Sequence, residues 1–117
     1  MKRATKENAK IESTFLGRED HGIPTFFLHL DYGGSGQGFG GRVGVTCDNL
    51  MQVLETLSAS SWEKLPGVLL RTIWTYDRVV AIGHITKDVW LMPTNDGNWA
   101  MGTYASLPLD DYEVESR

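Results

Sequence analysis

The chain has one cysteine, Cys47, in 117 residues, so it can close no internal disulfide and build no multi-cysteine zinc site. It has no apolar run near the ~18 residues a membrane-spanning helix requires. Residues 1–10 contain Lys2, Arg3, Lys6 and Lys10 but no hydrophobic stretch, and so do not read as a secretory signal. Basic charge is also scarce: Lys and Arg total 11 against 15 Asp and Glu, a net charge of −4. That balance argues against direct binding of duplex DNA, which needs a basic face toward the phosphates. The expected setting is therefore a cytoplasm, with no membrane partner. The length fits one domain, large enough to bury a core without metal or disulfide staples.

The chain is rich in glycine, but unevenly. Seven of its 13 glycines fall between Gly33 and Gly44. Upstream, residues 10–16 alternate loosely as a strand, with Ile11, Ser13 and Phe15 on one face. Residues 25–32 are the strongest strand signal: Phe26, Leu28 and Leu30 face one way, Phe27, His29 and Asp31 the other. Downstream, residues 47–58 read as a helix. Thr46 is its N-cap, and Leu50, Val53, Leu54 and Leu57 form an apolar stripe. Val68–Tyr76 and Val79–Ile85 predict one hairpin, and the segments around Trp90–Met92 and Trp99–Tyr104 a second. Leu28, Leu30, Leu50, Val53, Leu54, Leu57, Ile73 and Ile82 are the predicted core. Strands do not alternate with helices, which excludes a doubly wound parallel sheet. The prediction is a single α+β domain over 1–117: an antiparallel sheet of four to six strands with one main helix on one face. The basic start (about 1–9) and the acidic end (106–117) read as frayed tails.

Two segments are candidates for chemistry. Gly34, Ser35, Gly36, Gln37, Gly38 and Phe39 read as a ligand- or partner-contacting loop, with Phe39 its exposed anchor and the glycine N–H groups an anion nest. The spacing of Gly36, Gly38 and Gly41 imitates the dinucleotide fingerprint, but no helix opens at once after it and no β-α-β unit surrounds it. The second candidate is Asp20, His21, His29 and Asp31. His29 and Asp31 point the same way on one strand, and with the preceding loop they read as an acid–base pair or as ligands of a divalent metal. Cys47 has no catalytic signature around it, and His84 reads as a histidine holding a backbone group.

The blocks Ile11–Gly17, Glu19–Gly22, His29–Gly41, Ser61–Gly67 and Gly83–Ile85, followed by Lys87, Asp88 and Trp90, resemble a set of small phage and prophage accessory proteins over roughly residues 10–93. In that group an aromatic follows the double glycine and an acid follows the tryptophan; here Arg42 and Leu91 stand there. The resemblance implies a phage origin and, by genomic context, action against host defence in the manner of anti-CRISPR proteins. The leading expectation is a non-enzymatic protein, without metal or cofactor, in the cytoplasm of an infected bacterium. It would bind a host protein that has a basic, nucleic-acid-binding surface. Asp20, Asp110 and Asp111, with Glu113 and Glu115, would supply the complementary field. The alternatives are a small metal-assisted hydrolase or phosphoesterase using the His/Asp residues, and a small anionic-ligand binder using the glycine segment.

Overall fold

One long strand organises the molecule. In the computed structural model, which describes residues 1–117, β1 (Lys2–Arg18) pairs with three other strands. The remaining strands are β2 (Pro24–Asp31), β3 (Gly36–Gly41), β4 (Leu69–Trp74), β5 (Val79–His84), β6 (Trp90–Met92), β7 (Ala100–Gly102) and β8 (Tyr112–Ser116). The single α-helix, α1, covers Cys47–Leu57. The sheet order is β3-β2-β1-β4-β5-β6-β7, with every neighbour antiparallel, and β8 runs parallel to the start of β1. The architecture is the predicted α+β one, but with eight strands rather than four to six. No helix is long and apolar enough to cross a membrane.

The two additional strands are β3 and β8, and the segments expected to fray are the start of β1 and β8 itself. Lys2–Lys6 pairs in parallel with Tyr112–Ser116, which puts Arg3 opposite Glu113 and Thr5 opposite Glu115. The opposite charges at the two ends of the sequence thus lie on adjacent strands, where cross-strand complementarity favours pairing. Ala4 and Leu107 are buried with Ile73, Val80, Trp90 and Met92 in a second core, flanked by Tyr104, Tyr112 and Val114. The face of the sheet away from α1 is therefore covered by the segment after β7.

The main core lies under the helix and holds Ile11, Phe26, Leu28, Leu30, Val53, Leu54, Leu57, Leu70 and Ile82. Thr46 caps α1 as expected, its Oγ1 accepting from the Asn49 N–H at 3.1 Å. Leu50 is only half-buried, at the margin of the stripe.

In β1 the predicted facing of side chains changes at a β-bulge between Ile11 and Ser13. Ile11 pairs with Leu30 and is fully buried, whereas Ser13 and Phe15 are exposed on the opposite face, beside His29 and Phe27. One extra residue reverses every side chain that follows it, so strict alternation from Ile11 could not foresee this.

The glycine segment is not a loop. Gly36–Gly41 is β3, the terminal strand of the sheet, and Phe39 is 1% exposed rather than an exposed anchor. Phe39 pairs with Leu28 across the strands and meets Phe26 edge to face at 5.9 Å. The reason is register: Leu28 faces the helix, so the residue opposite it does too.

The sheet is strongly coiled. Phe26 on β2 lies 5.7 Å from Trp99 in the β6–β7 connection, and Gln37 on β3 donates to the Thr75 carbonyl after β4 at 3.3 Å. Those partners are several strands apart in sheet order, so the right-handed twist has brought the two ends of the sheet toward each other around α1.

Candidate functional site

Coiling leaves a seam between β3 and the β5–β7 end of the sheet, and the seam contains a cleft of about 240 Å³. Its apolar lining is Phe26, Phe39, Val79 and Trp99, with Val43 and Pro93. One wall is the backbone of Gly38, Gly40 and Gly41, and the other is Thr94 and Asn95. Arg42 and Arg78 are the only charged residues in the lining.

Each wall has a local cause. Because β3 ends the sheet, alternate N–H groups on its outer edge have no strand partner. Gly40 has a φ of +122°, and a Cβ there would run into the Phe26 carbonyl oxygen and the Phe26 ring. Glycine is required at this position for β3 to lie so close to β2. Arg42 and Arg78 come from the two turns that bracket the seam. Arg42 lies 3.7 Å from the Glu19 carboxylate, and Arg78 donates to the Tyr112 hydroxyl at 2.8 Å. Each guanidinium has five N–H donors, so these contacts leave donors free for a ligand. Glu19 also accepts from the His21 and Ile23 N–H groups. Desolvation opposes ionisation of Glu19, but the hydrogen bond with the His21 side chain, then the two N–H bonds and the Arg42 charge, together lower its pKa below the ordinary glutamate value.

The Thr94–Asn95 wall is held by Asp96. Asp96 Oδ1 accepts from Thr94 Oγ1 at 2.5 Å and from the Asn98 N–H at 2.9 Å. The Thr94 hydrogen bond, followed by the Asn98 one, lowers the Asp96 pKa below the ordinary aspartate value. Asp77, bonded by Thr75 in the β4–β5 turn, is lowered in the same way. A carboxylate with a depressed folded-state pKa contributes stability that is complete above its unfolded value and is lost as pH falls through the folded one. The melting temperature should therefore decline on acidification through and below the ordinary aspartate range, and Asp96→Asn should flatten that decline. Thermal melts of both proteins across pH 2–7 check this; parallel curves would contradict it.

The His/Asp residues chosen from sequence do not form one site. Asp20 and His21 sit at the tip of the β1–β2 turn, where His21 Nδ1 lies 3.2 Å from Glu19 Oε2. His29 is five residues into β2 from Pro24, or ~17 Å along the strand. Its exposed ring has Phe27 at 6.1 Å. Asp31 closes the next turn by accepting from the Gly33 N–H at 2.8 Å. No group of three or more His, Cys, Asp or Glu side chains is placed to hold a metal ion. His84 holds backbone, as expected: its Nδ1 accepts from the Thr86 and Lys87 N–H groups at 3.1 and 3.0 Å. Cys47 is exposed at the start of α1. Asp110 and Asp111 are exposed before β8.

Of the glycine-segment candidates, Gly38 and Phe39 line the seam cleft. Ser35, Gly36 and Gln37 line a different cleft, and Gly34 lies in the exposed β2–β3 turn. Sequence reasoning missed Arg42, Arg78, Val79 and Trp99 as site residues. The one available signal was a pair of arginines at turns, Arg42 directly after Gly40 and Gly41. Compared with protein-family models, curated proteins and solved structures, the chain has no significant match to any.

Proposed function

We propose that this chain binds a small anion with a flat apolar body in the seam cleft. The observation that carries the reading is the lining itself: an aromatic floor and a glycine backbone wall whose only charges are two arginines, in a chain of net charge −4. A guanidinium recognises carboxylate or phosphate through paired N–H donors, and aromatic rings accept a planar body. At about 240 Å³ the cleft is smaller than the ~300–1,000 Å³ of drug-sized sites, which points to a mononucleotide or a smaller aromatic acid. Phe39 serves this reading as part of the floor.

Thermal-shift screening with nucleoside monophosphates and aromatic carboxylates should find a ligand that raises the melting temperature. The double variant Arg42→Gln/Arg78→Gln should weaken that ligand at least about tenfold. Hydrogen bonds to charged groups contribute about 1.5–3 kcal/mol, and these two arginines are solvent-screened. No shift across the panel, or full affinity in the double variant, would refute the reading.

A protein partner is a second reading, and the β1–β2 hairpin favours it. Beyond Ile11, residues Ser13–Arg18 pair with β2 on one edge and with no strand on the other. Phe15, Leu16 and Ile23 are exposed around this edge. An unpaired edge with apolar neighbours is a template for strand addition. If a host protein is the partner, as the phage resemblance implies, capture from bacterial lysate should be lost on Phe15→Ser and kept on Arg42→Gln.

A further inference from the structure

A second cleft, of about 270 Å³, lies beside Ser35–Gln37 and has a different chemistry. Its walls carry three aromatic residues, Tyr32, Trp74 and Tyr76, and one charge, the carboxylate of Glu7. The Tyr32 and Trp74 rings meet at 63° with centroids 6.2 Å apart.

Both rings are fixed by hydrogen bonds. Trp74 Nε1 donates to Glu7 Oε1 at 3.0 Å. Thr72 Oγ1 spends its proton on the Glu7 carbonyl at 2.9 Å, so the Tyr32 hydroxyl donates to Thr72 at 3.0 Å. Burial first, and the nearby Glu7 charge as well, raises the Tyr32 pKa and keeps the phenol neutral. Tyr76, in contrast, is fully exposed in the turn after β4 and has no packing role.

Rigid rings at a steep angle, an exposed third ring and a single carboxylate suit a cation with an apolar shell. The faces of the rings attract the charge, and alkyl groups fill the space between them. A cation of the protein, Arg117, does not line the cleft but already contacts two of the residues that do, Trp74 and Glu7. The Arg117 guanidinium lies 5.5 Å from the Trp74 ring centre and 3.7 Å from Glu7 Oε1. Its side chain is 66% exposed, so little holds it in place. We propose that this cleft binds an alkylated ammonium ion, with Arg117 its intramolecular competitor for Trp74 and Glu7.

The test is an NMR titration of the full chain with tetramethylammonium chloride against sodium chloride of equal ionic strength. Saturable shifts are expected at the Trp74 indole N–H and at the Tyr32 and Tyr76 amides. Tyr76→Ala, which alters only an exposed side chain, should weaken binding about fivefold, in the range of a partly desolvated cation–π contact. Arg117→Ala should tighten binding. A trimethyl-lysine peptide that binds better than tetramethylammonium identifies a protein side chain as the source of the cation; equal affinity identifies a free small cation. Absence of saturation in both the wild type and Arg117→Ala, or unchanged affinity in Tyr76→Ala, would overturn the site. Unchanged affinity in Arg117→Ala alone would overturn the competitor role.

Discussion

Phe39→Ala is expected to destabilise the fold by about 3–5 kcal/mol, the usual cost of deleting a buried phenylalanine ring. Phe39 is the one large apolar side chain in β3, whose other members are four glycines and Gln37. Its edge-to-face contact with Phe26 and its burial opposite Leu28 are therefore the main apolar anchor of that strand. Glycine-rich backbone is entropically costly to order, and without the ring little compensates for that cost. The loss should include the seam cleft, since Gly38, Gly40 and Gly41 form its wall. Urea unfolding measures the effect directly. A surface anchor would behave otherwise, leaving stability unchanged and weakening only a partner.

Trp90→Ala should cost a comparable ~3–5 kcal/mol on the opposite face of the sheet. Its indole is completely buried, with the Arg71 guanidinium 4.7 Å above it and the Tyr104 ring at 5.5 Å. Gly83 makes room for it, because a Cβ at that position would lie 2.6 Å from the indole carbons. Removing the ring leaves a cavity and also loosens Arg71. The Nε and Nη2 atoms of Arg71 hold the His84 and Lys87 carbonyls at 2.7 and 2.6 Å and so fix the β5–β6 turn. Tyr104 and the segment leading to β8 lose their main packing surface. Chemical denaturation should show the reduced midpoint, and an amide-exchange map should show the largest loss of protection in β8. A loss below ~1 kcal/mol would mean that the second core is not cooperative with the first.

Much of this architecture was legible in the sequence, for identifiable reasons. The 47–58 helix declared itself through Thr46 and an apolar stripe. β2 was legible because one face is buried and the other wet, so alternation survives. The hairpins around Asp77 and Gly97 were marked by turn residues. Three features were not legible. The bulge at Glu12 reversed a short pattern. The terminal strands were masked by their charge, because pairing between distant ends leaves no local signal. The glycine segment reads as a loop by propensity, yet one phenylalanine in register with Leu28 makes it an edge strand, a tertiary effect that outweighs local preference. The seam cleft was illegible for the same reason. It combines residues near 26, 38–43, 78–79 and 93–99, which only the coil of the sheet brings together. The His/Asp reading failed on a simple distance: the turn and the far half of β2 are at different ends of one strand.

The most direct measurement is a two-dimensional amide NMR titration with the best anion from the thermal-shift panel. Saturable shifts at the Gly38, Gly40 and Gly41 amides and at the Trp99 indole, absent from the Arg42→Gln/Arg78→Gln protein, are the predicted result. A flat titration at those positions, or saturable shifts confined to the β1–β2 hairpin, would contradict a seam that binds anions.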